Sequence, residues 1–169
     1  MRIPISFNTA DKNTTLTNRL ALKAFIEKGL KKEGISIDTL QYVFCSDKFL
    51  LNINKSFLNH DYFTDIISFD LSETRGTLIG EIYISIDRVK DNAKTHKTNY
   101  TEELLRVIFH GALHFCGYKD KKPSDAKEMR AQENKWLKSY LKSISSACVI
   151  QKGSTWNLPN WKYCFHKVI

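Results

Sequence analysis

The chain has 169 residues, 42% hydrophobic and 26% charged, and a formal net charge of +8 at pH 7. That length suits one domain with a real core. No apolar run approaches the roughly 20 residues that span a bilayer, and Met1–Asn8 lacks the apolar stretch of a secretory signal, so a cytoplasmic protein with no membrane partner is expected.

In chain order, Ile3, Ile5 and Phe7 alternate with polar residues or Pro4, the period of a half-buried strand, and Pro4 has to sit where no ladder donor is needed. Asn13 or Thr14 is placed to cap a helix running to Lys32, which Gly34 ends. A strand follows over residues 39–45, then a short helix over 48–57. Residues 58–65 are polar and turn-prone. Strands are predicted at 66–71 and 78–86, joined by a hairpin-like connection at 72–77 that contains Gly76. Residues 87–97 read as a polar helix. Asn99 and Glu102 fit the start of another helix over 100–116, apolar on most of its circumference and therefore central and buried. Ser124 is placed to cap a last helix to about Ile144. Strands and helices mix without regular βαβ alternation, which predicts an α+β sheet with helices packed around it.

The charge is uneven. Residues 134–169 hold six lysines and no acidic residue, and Trp156, Trp161, Tyr163 and Phe165 stand among them, a composition that suits a polyanion such as RNA or a solvated tail. Residues 1–145 form the expected domain and 146–169 a basic, aromatic extension. Cys45, Cys116, Cys148 and Cys164 never form Cys-x-x-Cys, so free thiols are expected rather than a cysteine zinc cluster, and Cys116 reads as a small buried hydrophobe.

The central helix carries His110 and His114. A rise of about 1.5 Å per residue puts the two imidazoles roughly 6 Å apart on one face, and Gly117 can turn the chain so that Asp120 joins them. Two neutral imidazoles and a carboxylate make a competent set for Zn²⁺ with an open water position, and the ion would supply hydroxide near neutral pH. A His-Glu-x-x-His peptidase has its base beside the first ligand; here Gly111 stands there, which disfavours peptide hydrolysis. Lys119, Lys121 and Lys122 flank the motif and either bind RNA phosphates or form a solvated loop.

His-Gly-Ala-Leu-His-Phe-Cys-Gly-Tyr-Lys-Asp (110–120) resembles the signature His-Gly-x-Leu-His-x-x-Gly-Tyr-Asp-His of the YbeY endoribonuclease family. Thr64-Asp65-Ile66-Ile67-Ser68-Phe69 and Gly80-Glu81-Ile82-Tyr83-Ile84-Ser85 resemble the two strand motifs of that family, in the same order. The resemblance covers about Ile3 to Leu141. It implies a mixed, largely parallel four-stranded sheet flanked by helices. It also implies a single-strand-selective, metal-dependent endoribonuclease with one zinc ion per chain, acting on ribosomal RNA of the small subunit in 16S 3′-end maturation and ribosome quality control. The third ligand of the family is histidine, where this chain has Asp120. The family arginine after the second helix is Leu58 here, which makes His60, two residues on, a candidate replacement cation. Two other readings stay open: an RNA-binding ribosome-assembly factor with a structural metal, and a metallohydrolase of another substrate.

Overall fold

The computed structural model describes residues 3–74 and 76–151, with side chains to residue 146. Four strands, β1 (Ile5–Thr9), β2 (Ser36–Cys45), β3 (Ile66–Asp70) and β4 (Thr77–Ser85), form one sheet in the order β1-β2-β4-β3. The β1–β2 and β2–β4 pairs are parallel and β3 runs antiparallel to β4. Five helices surround it: α1 (Arg19–Lys32), α2 (Asp47–Leu58), α3 (Ile86–Thr95), α4 (Tyr100–Phe115) and α5 (Pro123–Gln151). This is the mixed, largely parallel α+β sheet that the resemblance implies. Trp156, Trp161, Tyr163, Phe165, Cys148 and Cys164 lie outside the described side chains, and α5 runs on past residue 145.

Helix α4 is the centre of the molecule, as its all-round apolar sequence predicts. Leu104, Ile108, Phe109, Ala112 and Leu113 have no exposed surface, and neither have Leu40, Tyr42, Ile82 and Ile84 of the sheet with which they share one core. Each such aliphatic side chain contributes about 1.5–3 kcal/mol of hydrophobic stabilisation. Phe25, Phe109, Trp136 and Tyr140 tie α1, α4 and α5 together through rings 5.3–5.9 Å apart. The site-bearing helix is thus clamped between the sheet and two helices, and its side chains inherit that rigidity.

Local boundaries differ from the predicted ones for identifiable reasons. Thr14 does not cap α1: its hydroxyl bonds the Tyr100 hydroxyl at the start of α4, and α1 begins at Arg19 after Asn18 in a left-handed conformation. Ile86 opens α3 rather than closing β4, because the Ser85 hydroxyl accepts from the Arg88 N–H and caps that helix. Ser124 is likewise not the cap of α5. Pro123 takes the first helical position, where its fixed φ and missing N–H cost nothing, and Ser124 lies within the first turn. Pro4 stands just outside edge strand β1, its carbonyl accepting from the Leu40 N–H at 2.9 Å, so no donor is lost.

Gly111 has a packing role. A Cβ there would lie 2.8 Å from Ile66 Cδ1 and 3.0 Å from Ile82 Cδ1 and Cγ2, so α4 approaches β3 and β4 closely at this residue. A glutamate at 111 would point into this apolar contact and away from the histidines, which gives a physical reason for the absence of the peptidase motif. Gly111→Val overfills the contact and is expected to cost about 2–3 kcal/mol. For a chain of this size that lowers Tm by roughly 4–12 °C, readable by thermal unfolding followed by circular dichroism.

Candidate metal centre

His110 and His114 sit one turn apart on α4, with ring centroids 4.4 Å apart and Nε2 atoms 2.9 Å apart. The chain then reverses at Gly117, whose φ of 88° an L side chain would adopt only under strain. Gly117 N–H bonds the His114 carbonyl and Tyr118 N–H bonds the Leu113 carbonyl, the paired closure of a Schellman motif. That turn has two consequences. It places the Tyr118 carbonyl 3.0 Å from His114 Nδ1, and it returns Asp120 to the pair, with Oδ2 3.4 Å from His110 Nε2 and 3.7 Å from His114 Nε2.

The donor set fits a divalent ion. Bonds of 2.0–2.2 Å in a tetrahedral site separate neighbouring ligand atoms by about 3.3–3.5 Å, and the three separations here are 2.9, 3.4 and 3.7 Å. Both Nδ1 atoms are occupied: His110 Nδ1 lies 2.8 Å from Glu133 Oε1 and His114 Nδ1 faces Tyr118 O. With the ring protons donated there, both Nε2 lone pairs point at each other and at a carboxylate. Three acceptors converging without a donor form an arrangement that a cation relieves. Among the described residues, His110, His114 and Asp120 form the one cluster of three His, Cys, Asp or Glu side chains that could hold a metal ion.

The two imidazoles titrate in opposite directions. Burial pulls His110 down, but its hydrogen bond to Glu133 and the charges of Glu133, Asp65 and Asp120 outweigh it, so its pKa lies above the ordinary value. His114 falls below the ordinary value through burial and the neighbouring His110 charge, with only partial return from Tyr118 and Asp120. His110 is thus the more basic of the two rings, and His114 the one more readily held neutral.

A groove of about 440 Å³ opens at the site, lined by His114, Lys119, Asp120, Lys121, Lys122 and Asp125, so the predicted lysines do share a surface with the ligands. A larger groove of about 780 Å³ runs along edge strand β1 and contains none of these residues. His60 is placed differently. It lies in the loop after α2, its ring stacked on Tyr62 at 5.0 Å, and it lines neither groove. Leu58 is partly exposed at the end of α2. Cys116 is packed against the core, its thiol donating to the Ala112 carbonyl, and burial pushes it up to about 12, far from a reactive thiolate.

Sequence reasoning missed two residues. Glu133 of α5 is 3% exposed and bonds His110, with Arg130 Nη1 at 2.9 Å and Arg106 Nη1 at 3.4 Å on its second oxygen. The signal was present: Glu133 interrupts the apolar stripe of Met129, Trp136, Leu137 and Tyr140, and a charge on a core-facing stripe needs a partner. Asp65, just before β3, adds negative charge at His110 and accepts from Asn92 Nδ2 at 3.1 Å.

Fold and site together define a class: an α+β protein whose central helix and the turn after it present two imidazoles and a carboxylate able to hold a divalent ion beside an open groove. The family model described as "Endoribonuclease YbeY" matches residues 5–141. The chain is 48% identical over 130 residues to the Endoribonuclease YbeY of Cytophaga hutchinsonii, covering 77% of this chain and 91% of that one. It is 41% identical over 136 residues to that of Flavobacterium johnsoniae, covering 80% and 96%. The solution structure of TM1509 from Thermotoga maritima is similar at a TM-score of 0.56 and 26% identity, over 85% of this chain and 93% of that one. The chain therefore belongs to the YbeY endoribonuclease family.

Proposed function

We propose that this chain is a metal-dependent endoribonuclease that cleaves single-stranded RNA in ribosomal RNA processing. Its place is the 3′-end maturation of 16S ribosomal RNA and ribosome quality control, in the cytoplasm and on the small ribosomal subunit, with zinc as the ion. Family membership supports RNA cleavage. The observation that carries the metal dependence is the convergence of His110 Nε2, His114 Nε2 and Asp120 Oδ2 while both Nδ1 atoms are already committed. His110, His114 and Asp120 would hold the ion, which when bound would supply an activated water and Lewis-acid stabilisation of negative charge at the phosphodiester. The chain's own residues do the rest. Glu133 and Tyr118 fix the two ring orientations, and the clamped α4 keeps them from relaxing. Lys119, Lys121 and Lys122, beside Asp120, offer cations to the anionic backbone of a substrate in the groove. Among the described residues no helix is long and apolar enough to cross a membrane, which fits this location.

The site's shape favours this reading over a structural metal. Closed structural sites use four protein ligands, whereas three donors and an open groove leave room for water and substrate. Protein purified without chelator is expected to carry one zinc per chain by elemental analysis, and to cut a single-stranded RNA oligonucleotide while sparing a duplex of the same sequence. A stoichiometric ion with no cutting above the blank would favour the assembly-factor reading, and cleavage of casein in place of RNA would favour another metallohydrolase.

A further inference from the structure

Half of the large exposed hydrophobic side chains among the described residues stand in one seven-residue segment. Phe57 is 70% exposed, Leu58 42%, Tyr62 57% and Phe63 55%, with the His60 ring among them. Scattered exposed apolar residues need no explanation, but a cluster of rings does. Phe57 and Leu58 end α2, and the loop after it, which carries His60, Tyr62 and Phe63, is held in place. The buried Asn54 side chain donates to the Tyr62 carbonyl at 2.9 Å, and the His60 N–H bonds the Asn54 carbonyl. At its other end the Asp65 carbonyl accepts from Ser85 N–H, and its carboxylate accepts from Asn92. The rings are therefore presented outward on a fixed loop rather than left over from a poor core.

Their arrangement suits planar ligands. His60 and Tyr62 already stack, 24° from parallel, and the Arg88 guanidinium carbon lies 5.4 Å from the centre of the Phe63 ring. Polar Asn59, His60 and Asp61 interleave the apolar residues, so hydrogen-bonding groups stand beside the ring faces. The loop leads into the strand that packs on the helix of the candidate site. It runs directly into Ile66, whose Cδ1 is the nearest atom to a Cβ built on Gly111, the residue after His110. The three groove lysines supply charge suited to phosphates near that same pair of histidines.

From the clustered, outward rings on a loop leading into the His110 helix contact, we propose that Tyr62 and Phe63, with His60 beside them, form a stacking platform for unpaired bases of single-stranded RNA. This rests on the reading of the chain as an RNA-cleaving enzyme and names what that enzyme grips. It also gives selectivity for single strands a physical source, since only unstacked bases can lie on the rings.

The test is binding of the full chain to a fluorescein-labelled single-stranded RNA decamer by anisotropy, with the same samples run on a gel to follow cleavage. Tyr62→Ala/Phe63→Ala is expected to weaken Kd by about tenfold or more. The slope of log Kd against log salt should not change, because no phosphate contact is lost. Tyr62→Phe/Phe63→Tyr, which keeps both rings, should stay within about twofold of wild type. An unchanged Kd for the alanine pair in a chain that still cuts RNA overturns the platform alone. Ring-dependent binding without any cutting supports the platform and overturns the nuclease reading. A wild-type dimer in sedimentation that the alanine pair splits, with Kd for RNA unchanged, assigns the rings to self-association and overturns the proposal.

Discussion

His110→Ala/His114→Ala is expected to leave a folded protein that no longer retains a stoichiometric divalent ion and cuts single-stranded RNA more than about 100-fold more slowly than wild type. Loss of an outer partner of a metal ligand already costs about 10–100-fold in affinity or activity, and loss of two ligands exceeds that. The fold should survive because both rings are partly exposed and Glu133, on losing His110, keeps Arg130 and Arg106 on its other oxygen. Truncation also removes the two Nε2 acceptors that face each other at 2.9 Å. The clearest readout does not use activity. Zinc at a hundredfold excess over Kd stabilises a one-site protein by about 2.7 kcal/mol, so wild-type Tm should rise on adding zinc and that of the double variant should not. Equal zinc-induced shifts in the two proteins would place the ion elsewhere. Asp120→Ala should give an intermediate shift, since its carboxylate is the most exposed of the three donors and the farther from His114.

How much of this was legible in the sequence follows from how local each cause is. The His110–His114 spacing and the Gly117 turn are short-range, so the convergence of Asp120 could be anticipated from eleven consecutive residues. The buried character of α4 was equally local, written in its all-round apolar residues. Chain-distant pairing defeated one helix start: Thr14 was taken from its capping role by Tyr100, 86 residues away. Glu133 was hidden for the same reason, since its role depends on α5 folding back so that residue 133 meets residue 110. The aromatic loop shows a third limit. Composition reveals rings at 57, 62 and 63, but only a folded chain shows that they face outward while Asn54 goes inside. Leu58 stands at the position of the family arginine, and the ring of His60, two residues on, stacks on Tyr62.

Glu133→Ala is the substitution with the largest expected effect on stability. The carboxylate is buried and bonded to His110, Arg106 and Arg130, and Arg106 is itself mostly buried, with Asn134, Glu102 and Glu103 as its other partners. Removing the acid takes a partner from His110 and from mostly buried Arg106 at once. Arg106 keeps its other partners and Arg130 is half exposed, so the cost falls at the lower end of the roughly 3–5 kcal/mol for breaking a buried pair from one side. The dependence on pH has a definite sign. Burial alone would raise the Glu133 pKa, but the His110 hydrogen bond and the charges of Arg130, His110 and Arg106 hold it below the usual glutamate value. A group depressed in the folded state stabilises above its unfolded pKa of about 4.3, and that stabilisation is lost as pH falls through the folded pKa. Denaturant midpoints of wild type and Glu133→Ala should therefore differ most at about pH 5–6, where the acid is charged and the raised His110 pKa still contributes, and converge as the pH falls below about 4. Zinc affinity should fall about 10–100-fold in the same variant, because His110 loses the acceptor that fixes its Nδ1 proton. A constant gap in stability across the acid range would mean that the cost is packing alone, and an unchanged zinc affinity would mean that Glu133 supports α4 without orienting its histidine.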